Sequence, residues 1–336
     1  MEIDILVDSW YAKYLTYKGC AFDSWVESQK LLSYVKPLIA RSGLFRGILL
    51  YISARKRYGI VLVCSDKGFW VFLILKALLN PPVKCIVLEF IRREPLDTIK
   101  KLVYPFLLHV VIIPVVRKSV SKAQVMTLWE KNRYEDLFGI TNDTFVYIPF
   151  PMNRPEKLSK INRNKDVIMS SGRVSCDWET LVETARLMPQ YKFIIVHSKK
   201  DDRRLSRSNI PKNCELLCNI TQTEHNRLLE SATCYVVTLL ETFGSSAHVR
   251  LSHAVHLEIP AIITDVMAIR EYVIDNETAI LVPQRDVMAL KSAIRRLVND
   301  EVLQKYIAQR AKERSRRWTR EQYYQKISDV IDQTIR

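Results

Sequence analysis

The 336 residues carry 51 Lys and Arg against 36 Asp and Glu, a formal net charge of +15, with 48% apolar residues and eight glycines. That length exceeds one ordinary α/β domain and suits two of about 150 residues each, and the apolar content excludes a disordered or low-complexity chain. Seven cysteines, an odd number with several inside apolar runs, read as small core side chains in a reducing compartment and exclude a paired disulfide framework.

In chain order, the acidic start Met1-Glu2-Ile3-Asp4 leads straight into a strand over 3–7, so no N-terminal signal is expected and the protein is read as cytoplasmic. Asp8 lies just past that strand. A helix is expected over about 25–35, ended by Lys36-Pro37 because a residue before proline avoids helical geometry. A strand over 60–64 is followed by Asp66 and an apolar helix over 70–79, which Asn80-Pro81-Pro82 stops. A third strand over 85–89 leaves Glu89 at its carboxyl end. The longest apolar run, 102–116, holds Pro105, His109 and Pro114 and falls short of the roughly 20 residues of a spanning helix, so a buried element is expected. Residues 151–165, rich in Pro, Asn and Lys, read as the linker.

Beyond the linker, strands are expected over 167–169, 193–196, 215–217, 235–240, 261–264 and 280–282, with helices in the gaps. Asp177 and Asp286 are N-cap candidates for helices whose buried stripes are Leu181, Val182, Ala185 and Met188, and Leu290, Ile294 and Leu297. The stretch CYVVTLLETFGSSAHVRLSHAVHLEIPAIITD, 234–265, is one βαβ unit with Glu241 at the end of its first strand. Ligands of open parallel sheets lie beyond the carboxyl ends of the strands, so the turn Glu241, Thr242, Phe243, Gly244, Ser245 and Ser246 is the candidate site. Unpaired N–H groups at Ser245, Ser246 and Ala247 would favour an anion, and Gly244 would let the backbone come close.

Glu-Thr-Phe-Gly, a short helix and then Ile-Pro-Ala-Ile-Ile-Thr-Asp resemble the E-x-F-G … P-V-I-x-[ST]-D segment of GT-B glycosyltransferases of the family 4 type. Residues 166–198 are similar to the strand, Gly-Arg loop and helix that open the donor-binding domain of that family, and 269–300 to the stretch that closes it. RRWTREQYYQKI, 316–327, resembles the Trp-containing crossover helix, and 125–153 the strand, helix and strand that finish a first domain. The resemblance implies an α/β chain of two Rossmann-like, doubly wound domains facing a cleft. Its parts would be an acceptor domain over 1–150, the linker over 151–165, a nucleotide-sugar-binding domain over 166–316 and a helix over 317–336 crossing back to the first.

The implied activity is transfer of a sugar from a nucleotide-sugar donor to a glycan or lipid-linked acceptor in cell-surface glycan synthesis, with no metal and no further cofactor. Such a reaction needs the leaving diphosphate stabilised by fixed positive charge and N–H groups. Arg173, in Ser170-Ser171-Gly172-Arg173, is the diphosphate candidate, because a guanidinium grips two phosphate oxygens at once. Glu241 would accept hydrogen bonds from donor-sugar hydroxyls. The donor set is completed by Ser171, Gly172, Lys199, Thr242, Phe243, Gly244, Ser245, Ser246 and His253. Asp8, Asp66 and Glu89 stand on the acceptor side, with Glu89 joining Arg173 and Glu241 as a catalytic candidate.

Two departures from the family pattern matter. The second glutamate that follows the first by eight positions is replaced by Val249, or by His253 when the alignment is anchored on Pro260. The lysine five residues after the loop arginine is replaced by Trp178, leaving Lys199 or Lys200 to supply the charge. His248, His253 and His256 do not share one helical face, which argues against a zinc site. The basic clusters Arg55-Lys56-Arg57, Arg92-Arg93, Lys100-Lys101 and Arg117-Lys118 flank apolar segments and suit an anionic membrane surface at its inner face, while no nucleic-acid recognition motif accompanies the charge. A nucleotide-sugar epimerase and a non-catalytic sugar-nucleotide binder share the expected fold and stand as alternatives.

Overall fold

The computed structural model describes residues 5–8, 19–29, 39, 41–64, 68–91, 98–141, 143–152, 164–207, 209–242 and 244–335. The chain folds into two units, Met1–Pro149 with Glu321–Arg336, and Phe150–Arg320. The β-branched runs of the first unit, such as Ile60-Val61-Leu62-Val63, form strands covered on both faces. They are β1 (Ile5–Asp8), β2 (Gly19–Ala21), β3 (Ile60–Cys64), β4 (Lys84–Leu88), β5 (Lys122–Val125) and β6 (Phe145–Tyr147). The sheet is parallel throughout, in the order β2-β1-β3-β4-β5-β6. Helices Gly43–Arg57, Phe69–Leu79 and Leu128–Phe138 lie between the strands. The first two approach closely because Gly47 has no side chain: a Cβ there would stand 2.5 Å from the carbonyl oxygen of Gly68.

Three expectations for this unit change. The helix expected over 25–35 is Phe22–Ser28, with 30–38 outside the described residues, and strand β2 and the helix Gly43–Arg57 were not anticipated. β4 ends at Leu88, so Glu89 follows the strand, in the left-handed region at φ +51°. The apolar run is not a buried element. Thr98–Leu107, a π turn at Leu108–Ile112 and Ile113–Ser119 make one continuous helical segment, of which Ile112, Ile113, Val115 and Val116 are buried while Leu102, Val103, Phe106 and Val110 are 83%, 56%, 69% and 55% exposed. By length and composition alone Leu102–Ser119 could cross a membrane. Its second half is instead built into the unit, against Phe69–Leu79.

The second unit holds β7 (Asn164–Ser171), β8 (Lys192–His197), β9 (Cys214–Cys218), β10 (Ala232–Val237), β11 (Ala261–Thr264) and β12 (Ile280–Val282), again all parallel, in the order β12-β11-β10-β7-β8-β9. Two buried clusters sandwich the sheet. One contains Tyr235, Leu251 and Ile263, the other Trp178, Phe193 and Ile294. Asp177 and Asp286 cap the helices Trp178–Arg186 and Val287–Val298 through hydrogen bonds from the N–H groups of Thr180 and Ala289. In each sheet the chain leaves one strand, builds outward and returns to its other side. That switch point falls at β1 and β3 in the first unit and at β7 and β10 in the second.

Candidate functional site

Ligands of doubly wound sheets sit at the carboxyl ends of the strands that flank the switch point. In the second unit those ends are the loop after β7, from Gly172 to Asp177, and the loop after β10 that leads into the helix His248–His256. The two loops are tied by the hydrogen bonds Asp177 N–H to Thr238 O (3.3 Å) and Leu240 N–H to Ser175 O (2.9 Å). Arg250, in the first turn of the helix, donates from Nη1 to the Ser171 carbonyl at 3.0 Å and lies 3.6 Å from the Cys176 sulfur. A Cβ on Gly172 would stand 2.1 Å from the Cys176 sulfur and 2.8 Å from Arg250 Nη1, so glycine leaves room for both side chains against the loop. The sequence reading missed this residue. A cation one position beyond the absent glutamate, on a helix opening beside a Gly-Arg loop, was the available signal.

Arg250 therefore stands where a charge was sought. Trp178, at the position of the family lysine, is fully buried core. Lys199 lies elsewhere: it sits in the turn Lys199–Asp201 beyond β8, beside Cys218 at the end of β9. Arg173 is exposed and makes no hydrogen bond or ion pair with the described residues, leaving its guanidinium free for a ligand. The Ser171 side chain is not in the site. Its hydroxyl is buried between the Tyr235 hydroxyl and His225 Nε2, which is 2.9 Å away. His253 is likewise drawn inward, 6% exposed with its ring 5.4 Å from that of His225, so it does not replace the missing ribose contact. Helical spacing brings it onto the buried side of the helix.

β10 ends at Val237, three residues short of the strand expected over 235–240, so Glu241 lies four residues beyond it, exposed, and it is anchored twice. Its N–H donates to Gln284 Oε1 (2.7 Å) and its Oε2 accepts from Met267 N–H (3.0 Å), which leaves Oε1 open. The bidentate pair Arg270–Asp265, at 2.8 and 2.9 Å, stiffens the same loop. Thr242 Oγ1 donates to Gly244 O (3.1 Å), shaping the turn, while Phe243 lies outside the described residues.

The helix opens three residues later than the sequence reading placed it, at His248, so the unpaired N–H groups belong to His248, Val249 and Arg250 and not to Ser245 and Ser246. Ala247, before it, is left-handed at φ +69°, a conformation that strains a residue with a Cβ. The Ser246 Oγ is buried without a partner among the described residues, a state that a bound ligand would relieve. His248 is held neutral: burial pushes its pKa down to about 3, its ring lies edge-on to Tyr272 at 4.6 Å, and it donates to the Ala268 carbonyl.

In the first unit Asp8 ends β1, at the switch point, with its side chain outside the description, and Asp66 lies outside the described residues altogether. Glu89 follows β4 and donates its N–H to Gln124 Oε1 at 2.8 Å. Gln124 is buried and also donates to Ile148 O and accepts from the Tyr323 hydroxyl, so it fixes the strained turn that carries Glu89.

Residues 154–314, which contain both loops and nearly all of the second unit, match the family model described as glycosyl transferases group 1. Over those residues the chain is similar to the group 1 glycosyltransferases. Both sheets fit the GT-B architecture. HepE of Anabaena, solved with UDP and glucose, superposes with a TM-score of 0.69 at 14% identity, covering 98% of this chain and 100% of its own. Sucrose-phosphate synthase from Thermosynechococcus elongatus gives 0.66 at 17% identity over 87% of this chain and 77% of its own. TarM of S. aureus, solved with UDP among its ligands, gives 0.64 at 17% identity over 84% of this chain, which spans 58% of TarM's length. No curated protein matches the chain by sequence.

Proposed function

We propose that this transferase moves a sugar from a nucleotide-sugar donor, bound by its second unit, to a glycan or lipid-linked acceptor in cell-surface glycan synthesis at the cytoplasmic face of a membrane. The observation that carries the donor reading is the pair of guanidiniums at the β7/β10 switch point, Arg250 at the Gly172 loop and Arg173 exposed beside it. Two arginines and the free N–H groups of a helix start are what a leaving diphosphate requires, since they meet charge where it develops without reorganising. Glu241 Oε1 is placed to accept from a donor-sugar hydroxyl, while Met267 holds the other oxygen and fixes the carboxylate's direction. The acceptor side falls to Asp8, at the switch point of the first sheet, and to Asp66, with Glu89 as a base. Uridine is the first base to test, because the HepE structures hold UDP and UDP-glucose.

The membrane part of the reading rests on the exposed apolar half of the 98–119 helical segment in a chain of net charge +15. Apolar residues beside a basic surface suit an anionic bilayer interface, where each basic residue contributes about 1 kcal/mol. The test of function is a thermal-shift screen against nucleoside diphosphates and their sugars, followed by transfer of labelled sugar to membrane extracts. A ligand at about 100 times its dissociation constant should stabilise the protein by about 2.7 kcal/mol. Absence of a shift with every diphosphate would overturn the donor reading, and donor binding without transfer would overturn the catalytic one.

A further inference from the structure

We propose that His197, Asp202 and Cys218 form a binding site for a borderline divalent cation of the Zn2+ type at the carboxyl ends of β8 and β9. The parallel register pairs His197 with Cys218 directly, each the last residue of its strand, so both side chains leave the same face of the sheet edge. Asp202 comes back over them from the first residue of the helix Asp202–Arg207. One ligand atom from each of the three lies within 4.8 Å of the others, and Asp202 Oδ1 stands 3.3 Å from His197 Nδ1. The Cys218 thiol is hydrogen-bonded to the same carboxylate. The three donors already converge around shared protons, which is where a cation would sit after displacing them.

The donor set decides the class of ion. A thiolate, an imidazole and one carboxylate select Zn2+ or Co2+ over Mg2+ and Ca2+, which take oxygen ligands. Three protein ligands leave one tetrahedral position open, and the exposure of Asp202 and Cys218 gives water access to it. His197 is the fixed point, with a side chain 5% exposed and Nδ1 3.1 Å from the Ser198 carbonyl. Binding would release the thiol proton and shift the imidazole proton from Nδ1, where it faces the Ser198 carbonyl and the Asp202 carboxylate, to Nε2, freeing Nδ1 to ligate in place of those contacts. The site is separate from the Arg250 loop, though close in the fold: the residue before His197, Val196, accepts from the Gly172 N–H at 3.0 Å.

The test uses the full chain with Zn2+ or Co2+ alone. Zn2+ should slow alkylation of Cys218 at least tenfold, read peptide by peptide, while Cys214, four residues earlier and half-buried, keeps its rate. Co2+ should give a near-ultraviolet sulfur-to-metal band that Cys218→Ser removes, and Asp202→Asn should weaken the Zn2+ protection. Both substitutions are at exposed positions and leave the fold intact. Unchanged Cys218 alkylation with Zn2+, or identical Co2+ spectra for wild type and Cys218→Ser, would overturn the site. Protection that persists in full in Asp202→Asn would remove that carboxylate from the ligand set and with it the proposed three-ligand site.

Discussion

At the residue scale the site turns on where positive charge is held. Arg250 has one nitrogen committed to the Ser171 carbonyl, and a guanidinium carries five donors, so the others remain for a ligand. Arg250→Ala should weaken nucleoside diphosphate binding by about 10- to 100-fold, the range of a charge-assisted hydrogen bond worth about 1.5–3 kcal/mol, while nucleoside binding changes little. Isothermal titration with UDP and with uridine distinguishes this from a loop-holding role, which would weaken both equally. His248 bears on stability. Its folded pKa is depressed to about 3, so it stays neutral in the native state while the unfolded chain protonates below about 6.5. Its contribution is therefore present above pH 6.5 and is lost as pH falls from there toward 3. Wild type should lose up to about 1.4 kcal/mol per pH unit more than His248→Gln in urea denaturation between pH 6.5 and 4.5. Parallel pH curves would show that the ring titrates freely.

At the element scale the 98–119 helical segment is two structures in one. Pro114 has no N–H to offer the carbonyl four residues back, and the turn just before it, Leu108–Ile112, relaxes to π geometry. The later half packs against its neighbour helix, and the earlier half leaves Leu102 and Phe106, one helical turn apart, in solvent. The double substitution Leu102→Glu with Phe106→Glu should abolish sedimentation with acidic vesicles, since each apolar side chain buried in lipid contributes about 1.5–3 kcal/mol. The melting temperature should stay near that of wild type because neither side chain is in the core. Binding of wild type should also weaken as salt rises, and undiminished vesicle binding by the double variant would exclude this segment as the contact.

At the scale of the whole molecule, the C-terminal helix Arg320–Ile335 belongs to the first unit although the chain reaches it from the second. Tyr323, Ile327, Val330 and Ile331 cover Ile5, Val7, Ile60, Leu62 and Ile86, closing one face of the first sheet with the last residues of the chain. Ile327 is fully buried, so Ile327→Ala should cost about 2–5 kcal/mol through lost burial and the cavity left behind. Denaturant unfolding would measure that loss, with UDP affinity preserved because the donor loops lie in the second unit. A cost below about 1 kcal/mol would mean that the helix is not part of that core.

Local sequence determined the elements whose signals are short-range. The strands of the second unit follow from β-branched runs between turn residues, and two of its helices from aspartates at their N-caps, as Asp177 and Asp286 show. The Gly172-Arg173 loop was legible because β7 runs directly into it, whereas the strand read through Leu240 stops at Val237 and leaves Glu241 four residues beyond its end. Tertiary structure alone decided which side chains turn toward those loops. Ser171 and His253 carry the right chemistry, yet the packing of Tyr235 and His225 draws them inward, whereas Arg250 reaches the Ser171 carbonyl from a helix far away in sequence. The same holds for the apolar run 102–116, where composition marked an element to be buried and only the neighbours available to it determined which half is buried. Periodicity records that a face is apolar, and it cannot record whether another element arrives to cover it.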